Sequence, residues 1–406
     1  MKVLVLNCGS SSIKYQFFDV KETLVLAKGS IERIGTSSAI LTHTRHDGDN
    51  IKITGEILDH NIAIEYVLAV LLSKNHGVIK DKNEIEAVGH RVVHGGEDFS
   101  VSVLITNAVI KTIQDNFELA PLHNPPNLKG IVACQSHLPG IPQCGVFDTA
   151  FHQKMPPKAF LYGIPYQLYK SHKIRRYGFH GTSHLYVSQR AAEFVGKPFN
   201  ELKIITCHLG NGCSMAAINN GVSVDTTMGF TPLEGLLMGT RSGDIDASIP
   251  LHIMAKEGLT LAEITTMLNK HSGLIGISGV SNDMREIIKA KEEKHVRSKH
   301  AFENFCYRIK KYIGGYIAAL GGLDVLVFTG GIGENSYEVR KETLTDLEYL
   351  GIKLDEEKNL NTAGEREISS ADSKVKVLVI PTNEELVIAL DTAKIVSEIK
   401  QQTCLL

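Results

Sequence analysis

Two arginines lie in unusually glycine-rich segments of the chain. Arg91 is in residues 89–96 (GHRVVHGG), and Arg241 is in residues 239–244 (GTRSGD). The planar guanidinium group can bind a phosphate or a carboxylate through two parallel hydrogen bonds, so both residues are candidates for anion recognition. Taken alone, each arginine is equally compatible with a solvated or salt-bridged loop residue.

Three further side chains are expected where strands or helices end or begin. His180 stands between two glycines just before a predicted helix, whose N-terminus favours anions. Asp148 follows an apolar run, so we expect it at the carboxyl end of a strand, where the sites of α/β proteins gather. Its alternative role is a helix cap. Glu384 and Glu385 open a predicted helix, where acids also simply complement the helix dipole. The remaining histidines lack metal-ligand spacing, so no zinc site is predicted.

Three glycine-rich turns follow predicted strands, at residues 7–14, 208–212 and 331–336. Glycine lets backbone N–H groups approach anionic oxygens closely, so such turns can hold phosphate. None of them matches the spacing of a P-loop or of a dinucleotide-binding fingerprint. Each turn alone is compatible with a purely structural role, but the three together favour a nucleotide site.

The elements that must position these residues are alternating strands and helices. Residues 2–6 and 13–18 predict a hairpin, and residues 203–207 and 213–218 repeat the pattern about half a chain later. Aligning the two hairpins superimposes the first glycine of each turn, which indicates an internal duplication. The alternative explanation is a chance match between two unrelated hairpins.

Helix and strand signals elsewhere agree with α/β class. Thr182 or Ser183 is expected to cap a helix that Gly196 ends. Strands are predicted at residues 324–328 and 375–380, and a helix at about 384–400. Residues 121–126 (PLHNPP) predict a helix-breaking loop.

Length and composition limit the class of protein. A chain of 406 residues exceeds what one core usually organises, so two domains are expected. The net charge of −2 gives no general attraction to nucleic acid, and no apolar run is long enough for a membrane span. The short apolar start does not resemble a secretory signal. Seven scattered cysteines without a CxxC pair predict neither disulfides nor zinc and agree with a cytoplasmic protein.

In combination, seven segments of the sequence resemble those of the acetate kinase family. They are residues 5–14 (VLNCGSSSIK), 89–96, 146–151 (VFDTAF), 179–184 (FHGTSH), 208–214 (HLGNGCS), 238–244 and 328–335 (FTGGIGEN). The resemblance runs from Met1 to about Glu398. It implies the duplicated ribonuclease-H-like fold of actin, sugar kinases and heat-shock-chaperone ATPases, with two domains around a nucleotide cleft. The expected domains are residues 1–150 plus 386–406, and residues 151–385, the second carrying most of the nucleotide site.

The same resemblance implies roles for individual residues. It makes Asp148 the catalytic carboxylate, His180 and Arg241 the stabilisers of the transition state, and Arg91 a contact to acetate or phosphate. It assigns magnesium to Asn7 and Glu384. It implies an apolar pocket for the substrate methyl group, formed by Val93, Leu122, Phe179 and Pro232. It implies a nucleotide site formed by Lys14, His208, Leu209, Gly210, Asn211, Gly212, Asp283, Met284, Arg285, Gly331, Ile332, Gly333, Glu334 and Asn335.

The implied activity is reversible, direct in-line transfer of the γ-phosphoryl group of ATP to acetate, giving ADP and acetyl phosphate. It depends on Mg²⁺, with Mn²⁺ as a substitute, and a homodimer is implied. Acetate is already ionised at neutral pH, because comparable carboxyl groups have a pKa of about 4. Asp148 can therefore accept a proton, orient an arginine or orient a metal-bound water. The alternatives are a kinase for propionate or another short-chain carboxylate, and an actin-like or chaperone-like ATPase switch.

Overall fold

The computed structural model describes residues 1–360 and 364–404, which divide into two compact units. The first comprises Met1–Ala150 and Asn383–Leu406, and the second comprises Phe151–Thr382. The expected boundary after residue 385 falls slightly later than this division, so Glu384 belongs to the first unit. Within the described ranges, no helix combines the length and the apolar character that a membrane crossing needs.

An eight-stranded sheet forms the frame of the first unit. Its strands are β1 (Lys2–Cys8), β2 (Ser12–Asp19), β3 (Leu24–Glu32), β4 (Thr36–Arg45), β5 (Asn50–Ile57), β6 (Ala87–Val92), β7 (Val103–Leu104) and β8 (Gln143–Phe147). They are arranged in the order β5-β4-β3-β2-β1-β6-β8-β7. β1 is antiparallel to β2 and parallel to β6, and β6 is parallel to β8. The carboxyl ends of β1, β6 and β8 therefore lie at one edge of the sheet.

Successive apolar side chains of β1 point to opposite faces of this sheet. Both faces are therefore apolar, and helices cover each of them. Leu4 and Leu6 belong to one core with residues of α1 (His60–Leu71). Val3 and Val5 belong to another core with residues of the C-terminal helix (Glu384–Cys404). The remaining helices of this unit are α2 (Asn107–Asp115) and α3 (Asn124–His137), and residues Lys82–Glu84 form a short 3₁₀ turn.

The proline-rich segment before α3 is a helix start, which corrects the prediction of a loop through residue 126. Pro125 and Pro126 lie in the first turn of α3, which begins at Asn124. Backbone N–H groups in a first turn have no partner within the helix, so proline loses nothing there, and its fixed φ suits the helix.

A six-stranded sheet forms the frame of the second unit. Its strands are β9 (Lys203–Leu209), β10 (Cys213–Asn219), β11 (Val222–Thr226), β12 (Val325–Thr329), β13 (Arg366–Glu367) and β14 (Lys376–Val379). Their order is β11-β10-β9-β12-β14-β13. β9 is antiparallel to β10 and parallel to β12, which is parallel to β14.

Most helices belong to the second unit. They are α4 (Pro157–Phe160), α5 (Tyr166–His172), α6 (Gly181–Val195), α7 (Ser248–Glu257), α8 (Leu261–Lys270), α9 (Gly273–Ser278), α10 (Met284–Glu292), α11 (Val296–Leu320), α12 (Gly330–Asn335), α13 (Tyr337–Leu344) and α14 (Glu356–Leu360). Short 3₁₀ turns are present at Ala150–His152, Phe199–Glu201 and Glu348–Leu350. The α6 residues Val187 and Ala191 share a core with Ile204 of β9 and Val325 of β12.

The two sheets repeat one arrangement, which agrees with the predicted duplication. In each, an antiparallel hairpin extended by a third strand is followed, across its first strand, by two parallel strands. The sequences β3-β2-β1-β6-β8 and β11-β10-β9-β12-β14 correspond strand for strand. The expected α/β class and the duplicated ribonuclease-H-like fold are confirmed.

The start of α6 differs from the prediction. Its N-cap is His180, whose φ of 57° is left-handed, and Thr182 and Ser183 lie within the helix. Their hydroxyl groups are therefore not needed as caps, and the Ser183 hydroxyl contacts His208 at 2.8 Å. Gly196 ends the helix at φ 67°, as predicted, because glycine adopts this backbone conformation without strain.

Candidate active site

Arg91 and Asp148 form the centre of a charged cluster in the first unit. Arg91 is in β6, and Asp148 directly follows β8, so the parallel pairing of these strands brings both to one sheet edge. Arg91 donates from Nε to Asp148 Oδ1 at 3.0 Å and from Nη2 to Oδ2 at 2.5 Å. Asp148 is 1% exposed. Burial disfavours the charged guanidinium, but the carboxylates of Asp148 and Glu384 more than offset it and raise the pKa of Arg91.

Both residues expected to bind magnesium contact this same arginine. Arg91 Nη1 donates to Asn7 Oδ1 at 3.4 Å, and Arg91 Nε lies 3.9 Å from Glu384 Oε2. Burial raises the pKa of Glu384 to about 7, and the negative charge of Asp148 adds to the shift while Arg91 opposes it. Asn7 and Glu384, far apart in sequence, are thus brought together around one guanidinium group.

The donor set of this cluster fits Mg²⁺. Among the described residues, no three His, Cys, Asp or Glu side chains form a metal-binding group. Mg²⁺ does not need such a group, because it usually takes one or two protein oxygens and completes its shell with water and substrate phosphates. The amide oxygen of Asn7 and the carboxylate of Glu384 are hard oxygen ligands. The raised pKa of Glu384 also marks a carboxylate whose charge the surrounding protein leaves under-compensated.

In the second unit, most residues predicted to bind nucleotide line one cavity of about 790 Å³. This volume lies within the range of small-molecule and cofactor sites. The predicted residues in its lining are Gly210, Asn211, Asp283, Met284, Arg285, Gly331, Ile332 and Asn335. They come from the turn after β9, the start of α10 and the short helix α12.

Other predicted nucleotide residues do not line this cavity. Lys14 is an exposed residue of β2 in the first unit, where it faces Asn7 in the β1–β2 pairing. Glu334 Oε1 accepts hydrogen bonds from the N–H groups of Gly330 and Thr382, at 2.9 and 3.3 Å, so it ties the first residue of α12 to the segment after β14. The remaining ones lie beside the cavity loops, namely His208, Leu209, Gly212 and Gly333.

Sequence reasoning missed six residues of the cavity lining: Asn282, Ile288, Ser336, Tyr337, Glu338 and Leu360. Most had an available signal. Asn282 adjoins a predicted segment, and Ile288 lies one helical turn beyond Met284 on α10. Residues 336–338 directly continue the third glycine-rich turn. Nothing in the sequence pointed to Leu360.

Two glycines next to the cavity, Gly330 and Gly239, leave no room for a larger side chain. Gly330 has φ 76°, and an added Cβ would lie 2.8 Å from the Leu209 carbonyl oxygen. At Gly239 an added Cβ would lie 2.0 Å from Asn211 Oδ1, which also accepts a hydrogen bond from Asn282 at 3.0 Å. A larger residue at Gly330 would therefore strain the backbone and clash with the Leu209 carbonyl oxygen, and one at Gly239 would displace the Asn211 side chain, which lines the cavity.

Arg241 and His180 lie together over the same turn. A Cβ added at Gly212 would be 3.4 Å from Arg241 Nη1 and 3.6 Å from His180 Cε1. Burial lowers the pKa of Arg241, and among the described residues this arginine has no carboxylate partner. His180 stacks on His208 with ring centroids 4.3 Å apart. A half-buried cation without a carboxylate partner among the described residues is well placed to receive an anion.

The four residues expected to form the methyl pocket are divided between the units. Val93, in the first unit, is buried, whereas Leu122 in the same unit is 69% exposed. Phe179 is buried and Pro232 is half-buried in the second unit. Leu122 is therefore not part of a buried apolar surface within its own unit. The assignment of these four residues to a methyl pocket stays a prediction.

Comparisons with known proteins extend these observations over the whole chain. A family model described as the acetokinase family matches residues 2–390. The acetate kinase of Thermoanaerobacter pseudethanolicus is 58% identical over 401 residues, which cover 98% of this chain and 100% of that protein. The crystal structure of Porphyromonas gingivalis acetate kinase has a TM-score of 0.94 at 51% identity, with 97% and 99% of the two chains covered. That of a Francisella tularensis propionate kinase has a TM-score of 0.90 at 44% identity, covering 97% and 99%.

The duplicated sheets and these matches define a phosphotransferase with the actin-like ATPase fold. More particularly, the chain belongs to the acetokinase family. It is therefore a kinase with a carboxyl group as the phosphoryl acceptor.

Proposed function

We propose that the protein is an acetate kinase, which transfers the γ-phosphoryl group of ATP to acetate and runs readily in reverse. The products are ADP and acetyl phosphate. Relatives more than 50% identical over nearly the full chain are named acetate kinase, which supports acetate as the acceptor. The cavity formed by the glycine-rich loops supports a nucleotide donor.

The observation that carries the mechanism is the position of Arg241 and His180 over Gly212. In phosphoryl transfer the protein mainly positions the partners and neutralises charge on the three equatorial oxygens. Arg241, which lacks a carboxylate partner among the described residues, is free to bind these oxygens through its planar fork. The imidazole of His180 supplies a further hydrogen-bond donor at the same turn.

Asp148 acts by orienting Arg91 in this proposal. Its two carboxylate oxygens already accept two hydrogen bonds from the guanidinium group. Acetate is ionised at neutral pH and needs no base to become a nucleophile. Arg91 is then held ready to bind the acetate carboxylate or the phosphoryl group, and proton acceptance by Asp148 is not required.

Asn7 and Glu384 would hold the magnesium ion. When bound, Mg²⁺ supplies positive charge that stabilises the phosphate oxygens during transfer. Mn²⁺, which also favours oxygen ligands, is expected to substitute for it. The loops around the cavity would supply the remaining nucleotide contacts. Lys14, which faces Asn7 in the β1–β2 pairing, is proposed as a further contact.

A kinase for propionate is the second candidate. The Francisella tularensis relative, 44% identical, is named a propionate kinase, so the family fold accommodates more than one acceptor length. The Thermoanaerobacter and Porphyromonas relatives named acetate kinase are 58% and 51% identical to this chain, which favours acetate as the acceptor. One methylene group in an apolar acceptor pocket typically changes kcat/KM by about 10–200-fold, so the preference is measurable.

We further propose a cytoplasmic homodimer. Six cysteines of the described chain are buried and free, which suits a reducing compartment. Helix α7 has no buried residue, and its Ile249 and Leu251 are 41% and 68% exposed. Such apolar exposure supports contact with a second copy of the chain.

Trapping of the product with hydroxylamine tests the proposed function. Acyl phosphates react to give a hydroxamate, so ATP, Mg²⁺ and acetate should yield acetohydroxamate in proportion to the ADP formed. Omission of acetate should stop ADP formation. ADP release without hydroxamate would instead indicate an ATPase switch and contradict the proposal.

A further inference from the structure

The hydroxyl group of Ser214, in β10, contacts two imidazole rings. Ser214 Oγ lies 2.8 Å from His180 Nδ1 and 2.7 Å from His184 Nε2. A hydroxyl group has one proton, so it can donate to only one of the two histidines and must accept from the other. Ser214 is 0% exposed, so bulk solvent does not reach its hydroxyl group.

The chain of contacts continues from His184 to Thr206 of β9. His184 Nδ1 lies 2.7 Å from Thr206 Oγ1, and both residues are fully buried. Within the described part of the chain, His184 is the hydrogen-bond partner of the Thr206 hydroxyl. Burial lowers the pKa of His184, with His152 and His208 adding to the shift, so His184 is neutral and carries one ring proton.

These contacts determine which way the protons point. The Thr206 hydroxyl donates to His184 Nδ1, because its proton would otherwise be buried without an acceptor. The single proton of His184 is then on Nε2 and is donated to Ser214 Oγ. The Ser214 proton is in turn donated to His180 Nδ1, so a neutral His180 carries its own proton on Nε2.

We propose that Ser214 is a positioning residue that, together with His184 and Thr206, keeps His180 in the Nε2–H tautomer. Nε2 lies on the ring edge that faces Gly212, 3.7 Å from an added Cβ. An N–H group there donates to an equatorial oxygen of the transferring phosphoryl group, whereas the other tautomer presents a lone pair and repels it. This inference rests on the proposed role of His180.

Other titratable groups lie near this series of hydrogen bonds. His208, in β9, stacks on His180, and Arg241 approaches from the loop after β11. His152 packs edge-on against His184 with ring centroids 5.6 Å apart. Ser214 is the hydroxyl partner that the structure places at His180 Nδ1, so its removal should allow the other tautomer of His180 to form.

Three hydroxyl deletions test the inference. Ser214→Ala and Thr206→Val should each lower kcat, by about 10–100-fold for Ser214→Ala, with little change in KM for ATP. Thr206→Ser keeps the hydroxyl and should retain near-normal kcat. Ser188→Ala removes a buried hydroxyl of α6 that donates to a backbone carbonyl, and it should leave kcat unchanged.

The tautomer itself is measured by two-bond ¹H–¹⁵N spectra of the full-length protein, with His180→Ala assigning the signal. The wild type should show Nε2–H, and Ser214→Ala and Thr206→Val should shift the population toward Nδ1–H. An unchanged tautomer in both variants, or normal kcat in both, would overturn the inference. If His180→Ala retained normal kcat, the proposed role of His180 would fail, while the spectra would still decide the tautomer. Should Ser214→Ala not fold, Thr206→Val gives the same readout from a residue outside the site.

Discussion

The guanidinium group of Arg91 binds both oxygens of the Asp148 carboxylate, through Nε at 3.0 Å and Nη2 at 2.5 Å. The same arginine contacts Asn7 and Glu384, so four residues from distant parts of the sequence form one cluster. A carboxylate used in this way orients a cation. In the proposed reaction, Asp148 therefore orients Arg91 and need not accept a proton.

Asp148→Asn should impair the reaction by misorienting Arg91. Hydrogen bonds to charged groups contribute roughly 1.5–3 kcal/mol, so kcat/KM for acetate should fall about 10–150-fold. The pH dependence of kcat should keep its shape, because no proton is transferred to Asp148. Asp391→Asn, which alters a carboxylate bonded to Ser102, is the control. If Asp148→Asn, but not Asp391→Asn, lost the fall of kcat at acidic pH, Asp148 would be the proton acceptor.

Arg241→Lys should lower kcat far more than it changes KM for ATP. Lysine keeps the charge but loses the planar fork, and an arginine on transition-state charge contributes roughly 10³–10⁵ in rate. Steady-state kinetics with varied ATP measure the two effects separately. Arg297→Lys alters an arginine that binds backbone carbonyls in the same unit and should be near normal. An effect of Arg241→Lys on ATP affinity alone would make Arg241 a binding residue.

Glu384→Gln should raise the Mg²⁺ concentration needed for half-maximal activity. Glutamine keeps the shape and one oxygen ligand but removes the negative charge that favours a divalent cation. Titration of activity with MgCl₂ should show partial recovery at high concentration. Glu385→Gln, in the same first turn, is the matched control. If both variants needed the same Mg²⁺ concentration for half-maximal activity, Glu384 would not bind the metal and would only complement the helix dipole.

His152 should make the folded protein sensitive to acid. Burial lowers the pKa of His152 to about 4, whereas an unfolded histidine has a pKa of about 6.5. Below pH 6.5 the unfolded chain binds the proton first, so the stability present above that pH is lost progressively toward pH 4. The slope is about 1.4 kcal/mol per pH unit for one such group.

Urea denaturation across this pH range measures the effect. His152→Gln should reduce the loss of unfolding free energy between pH 6.5 and 4, and His300→Gln, at an exposed position, should not. The same slope in wild type and His152→Gln would exclude His152 as a source of acid sensitivity.

Val93→Ala should shift acceptor preference toward propionate. Removal of two methyl groups makes room for one more carbon, so the ratio of kcat/KM for acetate to that for propionate should fall by about tenfold or more. Val92→Ala is the control, because Val92 packs with Phe147 in a core cluster that does not include Val93. Both variants should lose stability, but only Val93→Ala should change the ratio. An unchanged ratio would remove Val93 from the pocket.

Much of the frame could be predicted because it depends on local patterns. The strand before Asp148 and the helix beginning at Glu384 follow from apolar periodicity and flanking residues. The duplication followed from two similar hairpins. These signals are properties of neighbouring residues, and they place Asp148 after a strand and Glu384 at a helix start, as in the structure.

The remaining features depend on contacts between distant residues. The hydrogen bond from Ser214 to His180 joins a strand to a helix start, and no spacing indicates it. The left-handed conformation of His180 is likewise rare outside glycine, so composition favoured Thr182 or Ser183 as the cap. The exposure of Leu122 could not be predicted, because apolar type alone does not determine burial.

The most direct test of the central claim is the initial rate as a function of carboxylate chain length, measured in both directions. Acetate should give the highest kcat/KM, propionate a value lower by about 10–200-fold, and butyrate a lower one still. Acetyl phosphate and ADP should yield ATP readily. A propionate value equal to or above that of acetate would contradict the proposed acceptor. ATP consumption that does not depend on any carboxylate would contradict the kinase itself.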